Sequence, residues 1–179
     1  MHIAQIGESV LKQQAHEVPA DAFGTIELKN FTEGLLKTML DANGVGIAAP
    51  QVFDGRAIMF VASRPSPRYP SAPQMEPLLL INPRIISQSE NWVWEWEGCL
   101  SVPALRGFIQ RPDQVEVSYQ DTDGNPCQIE FTGFLARIFL HEYDHLIGKT
   151  WLDHVTSTEQ IMAESVWLRQ IAGITGTAH

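Results

Sequence analysis

The chain has 179 residues, 44% of them hydrophobic, and a formal net charge of −9; this is enough apolar material for one sizeable core, and it excludes binding to nucleic acid through a basic surface. No run reaches the roughly eighteen apolar residues of a membrane helix, and the opening MHIAQIGESVLKQQ lacks the basic flank and apolar stretch of a secretory signal. The expectation is one domain over 1–179, cytoplasmic, with no membrane partner; two cysteines, Cys99 and Cys127, exclude a disulfide scaffold.

In chain order, TIELKNFTEGLLKTMLDANG sets Ile26, Phe31, Leu35, Met39 and Leu40 near helical spacing, with Asn43 and Gly44 as a stop. GVGIAAPQ (44–51) reads as a glycine-rich turn, and RAIMFVAS and PLLLINPRII as short buried strands. Between them the stretch 63–77 holds Pro65, Pro67, Pro70, Pro73 and Pro77, which predicts a long surface loop. NWVWEWEG alternates, so Trp92, Trp94 and Trp96 share one face of a strand. QVEVSYQD and CQIEFTG, joined by DTDGNP, predict an antiparallel hairpin.

TGFLARIFLHEYDHLIG then predicts the main helix, with Thr132 as N-cap, Gly148 as C-cap and Phe134, Leu135, Ile138 and Phe139 toward the core. WLDHV reads as a short strand, and STEQIMAESVWLRQI as a C-terminal amphipathic helix. The fold class is α+β: antiparallel strands packed around a central helix bearing the His-Glu-x-x-His pattern, with an N-terminal and a C-terminal helix.

Residues four apart share a helix face, so His141 and His145 converge on one ion, and Glu142 between them reaches a water on that ion without ligating it. That is the arrangement of a general base for metal-assisted hydrolysis. The third ligand is open among Cys99, His154 and Glu164. Glu164 lies at the separation from His145 that thermolysin-like proteases use, and otherwise reads as a solvated helical charge. Cys99, in WEGCLSVP, follows a glycine at a bend that presents the sulfur outward; taken alone it is equally a small buried hydrophobe. A closed structural site adding His154 or Cys127 is the non-enzymatic alternative.

GVGIAAPQ, EGCLS and HEYDHLIG, in this order, resemble the three signature motifs of peptide deformylase. The likeness extends through IGESVLKQQAHEV, LLLINPRI and SVPALRGFIQRP, to about Trp151. The resemblance implies removal of the N-formyl group from the initiator methionine of nascent polypeptides, with release of formate. It implies one divalent ion on Cys99, His141 and His145, ferrous iron by family habit, with zinc, nickel or cobalt as substitutes. Water on that ion attacks the formyl carbon with Glu142 as base, while the Gln51 amide and the Leu100 N–H receive the oxyanion. Val45, Phe134 and Ile138 fall at positions lining the methionine pocket. Gly44, Gly46 and Gly98 admit an extended peptide backbone. Arg106 is a candidate substrate contact, and Arg111 with Asp144 an ion pair behind a ligand.

Two positions depart from the family pattern: Leu140 stands where glutamine is common, and Arg137 where an apolar residue is usual near the pocket. The expected partners are N-formylmethionyl nascent peptides and a transient encounter with the ribosome. Stable anchoring there through a basic C-terminal extension is not expected.

Overall fold

The structure, a computed structural model, describes residues 1–174; the end of the C-terminal tail considered above lies outside the described residues. Helix α1 spans Ile26–Asp41 and begins where the Thr25 hydroxyl accepts the Leu28 N–H at 3.3 Å. Its buried stripe is Leu28, Thr32, Leu35, Thr38 and Met39. Ile26 and Leu40, expected inward, are exposed, because the stripe is centred on the 28, 32, 35, 39 row and both fall beside it.

Strands β1 (Gly46–Ala48), β2 (Ile58–Ser63), β3 (Met75–Gln88), β6 (Gln114–Gln120) and β7 (Pro126–Thr132) form one antiparallel sheet in the order β1-β2-β3-β6-β7. The GVGIAAPQ turn therefore contains an edge strand and, over Ala49–Val52, a single 3₁₀ turn. The sheet is covered on both faces, which is why β2 reads as an unbroken apolar run. Its Ile58, Phe60 and Ala62 pack with α1 residues Leu28, Leu35 and Met39. Met59 and Val61 pack with Ala136, Ile138, Phe139, Leu140 and Leu146 of helix α2 (Gly133–Leu146) on the other side. The hairpin β6–β7 pairs from Gln114↔Thr132 to Gln120↔Pro126, and the Asp121 carboxylate caps its turn by accepting the N–H groups of Asp123 and Asn125, both at 2.9 Å.

A second antiparallel sheet, in the order β4-β5-β8, contains β4 (Trp92–Cys99), β5 (Val102–Pro112) and β8 (Ile161–Ala163). Two expectations are corrected here. Residues 161–163 pair with Leu105–Gly107 as an edge strand, so the C-terminal helix α3 shrinks to Glu164–Gln170; an open sheet edge overrides a helical pattern. WLDHV is a 3₁₀ turn over Trp151–His154, pinned where Trp151, fully buried, lies flat against Gly107 of β5.

The proline-rich loop is confined to 64–74 between β2 and β3. It is not free decoration. The Tyr69 hydroxyl accepts from Arg106 Nη1 at 2.6 Å, and its ring packs on Phe134 and Trp167. A cavity of about 520 Å³ opens between α1 and β3, floored by Phe60, Leu79 and Ile81, on the sheet face away from α2.

Helix α2 starts at Gly133 (φ +54°), although Thr132 makes no side-chain cap, and stops at Gly148 (φ +72°). A Cβ on Gly148 would stand 2.7 Å from the Lys12 carbonyl oxygen. Left-handed backbone costs a non-glycine residue about 1–2 kcal/mol before any clash. Gly148→Ala lowers the unfolding free energy by at least that order, read from denaturant melts.

Candidate metal centre

Helix α2 carries His141 and His145 on the face that meets β4, and β4 ends in Cys99. The pairing of β4 with β5 shifts register between Glu97 and Cys99. This is the bend expected from Gly98, but it turns the sulfur inward to α2 instead of outward. Cys99 Sγ lies 3.2 Å from His145 Nε2, and the thiol and the two imidazoles bring their ligand atoms within 4.8 Å of one another. Among the described residues this is the one group of three such side chains.

The other candidates are engaged elsewhere. Glu164 pairs with Arg106 at 2.7 Å. His154 Nε2 contacts the Asp144 carboxylate at 2.8 Å, so its turn leads back beneath the helix rather than away. Cys127 sits on β7 near the Asn125 carbonyl.

Behind the cluster lies Glu97, of the WEGCLSVP stretch, a residue with no role expected from the sequence. Its Oε2 contacts His141 Nδ1 at 2.8 Å, which leaves Nε2 of that ring for the cluster. Arg111 donates to both of its oxygens, at 2.6 and 3.0 Å. Arg137 donates to Oε1 at 2.9 Å, and its remaining bonds go to the Ile109 and Val93 carbonyls of the small sheet. Burial alone would raise the Glu97 carboxyl, but Arg111 and His141 hold it well below the usual carboxylate range. Arg111 also donates to Asp144 at 2.8 Å, the pair foreseen from the sequence. The signal for Glu97 was present: with three tryptophans on one face of β4, Glu95 and Glu97 must take the other.

Glu142 is buried, its carboxylate pressed against Gly46, where a Cβ would collide with it. Its Oε2 has no hydrogen-bond partner, and neither has His145 Nδ1. Burial pushes the Glu142 carboxyl up to about 7, against the opposing pull of His141 and His145. Burial also disfavours charge on Cys99 and His141. His145 and His141 nevertheless take the thiol well below its ordinary value, and Cys99 with Glu97 takes the His141 imidazole well above its own. A thiolate, two imidazoles with one tautomer fixed, and an unpartnered carboxylate oxygen alongside fit a resident divalent ion.

Gln51 is fully buried beside this cluster. Its Oε1 accepts the Ala48 N–H at 2.8 Å, and Nε2 reaches Ser101 Oγ at 3.1 Å and Cys99 Sγ at 3.7 Å. Leu100 follows Cys99 in the turn, with its side chain 3.2 Å from where a Gly44 Cβ would stand. Val45 and Phe134 are half-buried and Ile138 is buried, all three against the α2 core. Arg106 is buried with its guanidinium against Gly98, over the Trp167 ring at 4.4 Å.

The family model for polypeptide deformylase matches residues 1–160. The chain belongs to the polypeptide deformylase family. Peptide deformylase 2 of Shewanella oneidensis is 48% identical over 163 residues, covering 90% of this chain and 88% of that one. Peptide deformylase 2 of a Nostoc species is 46% identical over 162 residues, covering 90% and 89%. The class I type b peptide deformylase from Acinetobacter baumannii, crystallised with Met-Ala-Ser bound, superposes with a TM-score of 0.84 at 42% identity, over 86% of this chain and 96% of that one. As in other deformylases, the α+β framework carries an enzyme, and among the described residues no helix is long and apolar enough to cross a membrane.

Glu97 is buried with three charged or polar partners, Arg111, Arg137 and His141. Because its folded-state value lies below the ordinary 4.5, its stabilisation is full above that pH and fades on acidification. Removing the charge leaves two buried guanidiniums short of a partner, a loss of about 3–5 kcal/mol. In the metal-free protein the gap in unfolding free energy between wild type and Glu97→Gln is full above about pH 4.5 and narrows below it by up to about 1.4 kcal/mol per pH unit without closing by pH 3, as denaturation from about pH 6 to about pH 3 measures.

Proposed function

We propose that the chain, as one catalytic domain over 1–179, removes the N-formyl group from the initiator methionine of nascent polypeptides and releases formate. The observation that carries this is the convergence of Cys99, His141 and His145 beside the buried, unpartnered Glu142 carboxylate. Cys99, His141 and His145 would hold one divalent ion, ferrous iron in the cell and zinc, nickel or cobalt in a purified sample. When bound, the ion lowers the pKa of a water and polarises the formyl carbonyl.

Glu142 accepts the proton of the attacking water. It then returns that proton to the departing amine; burial, which in the metal-free protein raises its carboxyl to about 7, favours a group that takes up a proton and gives it back. The Gln51 amide is oriented by Ala48 and Ser101, and its long contact to Cys99 is the one it gives up to a substrate oxygen. Together with the Leu100 N–H it stabilises the negative charge that develops on the formyl oxygen. Val45, Phe134 and Ile138 receive the methionine side chain, and an unbranched thioether packs well on such walls. Gly44, Gly46 and Gly98 let the peptide backbone lie beside the cluster. Arg106, steadied by Tyr69, Glu164 and Trp167, borders the same cleft. The Met-Ala-Ser bound by the Acinetobacter relative supports the reading, since it begins with the residue that deformylation uncovers. The partners are formylated nascent chains, met in transient encounters at the ribosome in the cytoplasm.

Glu142→Ala retains its metal and loses formate release from formyl-Met peptides by about 10²–10⁴-fold, the usual worth of a general base. Cys99→Ser loses metal, while Glu164→Ala keeps it. A coupled formate assay with metal analysis on the same samples checks all three variants, and a metal-replete Cys99→Ser protein would overturn the ligand assignment.

A further inference from the structure

The donors come from two differently anchored bodies. Helix α2, with His141 and His145, is bonded to the five-stranded sheet by a continuous apolar core. Strand β4, with Cys99, belongs to the small sheet, whose buried apolar cluster is Val102, Ile109 and Trp151 and includes no residue of α2. At the β4–β5 turn the small sheet also touches the larger body through Leu100, packed on the α1 core, and Ser101, bonded to Gln51 at 3.1 Å; along β4 itself, what joins it to α2 is polar. Arg137, 6% exposed, leaves α2 one turn before His141, on the same face. Its Nη1 donates to Glu97 Oε1 at 2.9 Å and to the Ile109 carbonyl at 3.3 Å, and Nη2 donates to the Val93 carbonyl at 2.7 Å. Its Nε lies 3.2 Å from Glu95 Oε2. One guanidinium thus grips a β4 carboxylate, a β4 carbonyl and a β5 carbonyl, and the gripped Glu97 holds His141 through its other oxygen.

We infer that Arg137 is a positioning residue that sets the separation between the Cys99 sulfur and the imidazole pair; this rests on the metal-centre reading above. A planar fork bonded to two adjacent strands fixes both sliding and rotation of the small sheet against α2. A lysine at the same place engages one partner at a time and fixes neither. Without the fork, α2 keeps the Arg111–Asp144 pair and the His141–Glu97 contact, and the β4–β5 turn keeps Leu100 on the α1 core and the Gln51–Ser101 bond; none of these ties α2 to β4 and β5 through one rigid group. Losing such outer support costs metal sites about 10–100-fold in affinity.

The test uses the full chain with cobalt(II) as the probe. Affinity is measured by chelator competition, and the thiolate-to-cobalt charge-transfer absorption reports the sulfur–metal bond apart from any turnover. Arg137→Lys and Arg137→Leu fold, bind cobalt about 10–100-fold more weakly and shift that absorption; for formyl-Met-Ala-Ser, kcat falls more than KM changes. Glu95→Gln, which removes only the half-exposed partner, leaves affinity and absorption as in wild type. Folded variants with wild-type cobalt affinity and absorption overturn the proposal. So does failure of both to fold, which would make Arg137 a plain structural cross-link. Wild-type formate release is measured in parallel: its absence sinks the deformylase reading, while the cobalt measurements still decide the role of Arg137.

Discussion

The Glu97 carboxylate is the constraint on which the site depends. Buried between two guanidiniums and an imidazole, it is the point at which β4, β5 and α2 meet. An ion so placed loses several kcal/mol of hydration, which its partners must offset through close, well-directed hydrogen bonds. That demand fixes geometry. The oxygens of one side chain determine where Arg111, Arg137 and His141 can stand, and the bulge that follows on β4 delivers Cys99 to the same place.

Two carboxylates close to the cluster are driven in opposite directions by their surroundings. Glu97 is surrounded by cations and stays ionised; Glu142, pressed against Gly46 with one oxygen unpartnered, is lifted toward neutrality. Such a divergence separates a fixed counter-charge from a proton carrier within one small volume. It also explains the glycine at 46, where any side chain would displace the carboxylate.

Much of this was legible in the amino-acid order. The hairpin at 114–132 and the helix carrying the two histidines followed from alternation and helical spacing; the residues alone left Cys99, His154 and Glu164 open beside the histidines, and only the family resemblance implied Cys99, which is the one of the three found beside them. What escaped was set by tertiary context. Residues 161–163 are helix-patterned, yet the open edge of β5 recruits them as a strand. Ile26 and Leu40 fit the helical period, but lie beside the stripe that α1 buries. Glu97 was hidden because a charged residue in a strand reads by default as solvent-facing, and the aromatic neighbours draw attention to the opposite face. Arg137 was marked only as a departure from pattern. Its bonds to main-chain carbonyls of Val93 and Ile109 are long-range in sequence and invisible to any local reading.

The alternation of β4 has an optical side. Glu97 is buried and Val93 half-buried on one face, with Glu95 at its exposed margin, while Trp92, Trp94 and Trp96 take the other face; Trp94 stacks on Phe108 at 5.5 Å and Trp96 meets it tilted at 5.2 Å, with Trp92 and Trp94 nearly half exposed. The strand that presents the thiol thus bears a row of partly wetted indoles on its back, so their emission reports the pairing of β4 with β5 and the wetting of that face, an intrinsic gauge that needs no added label.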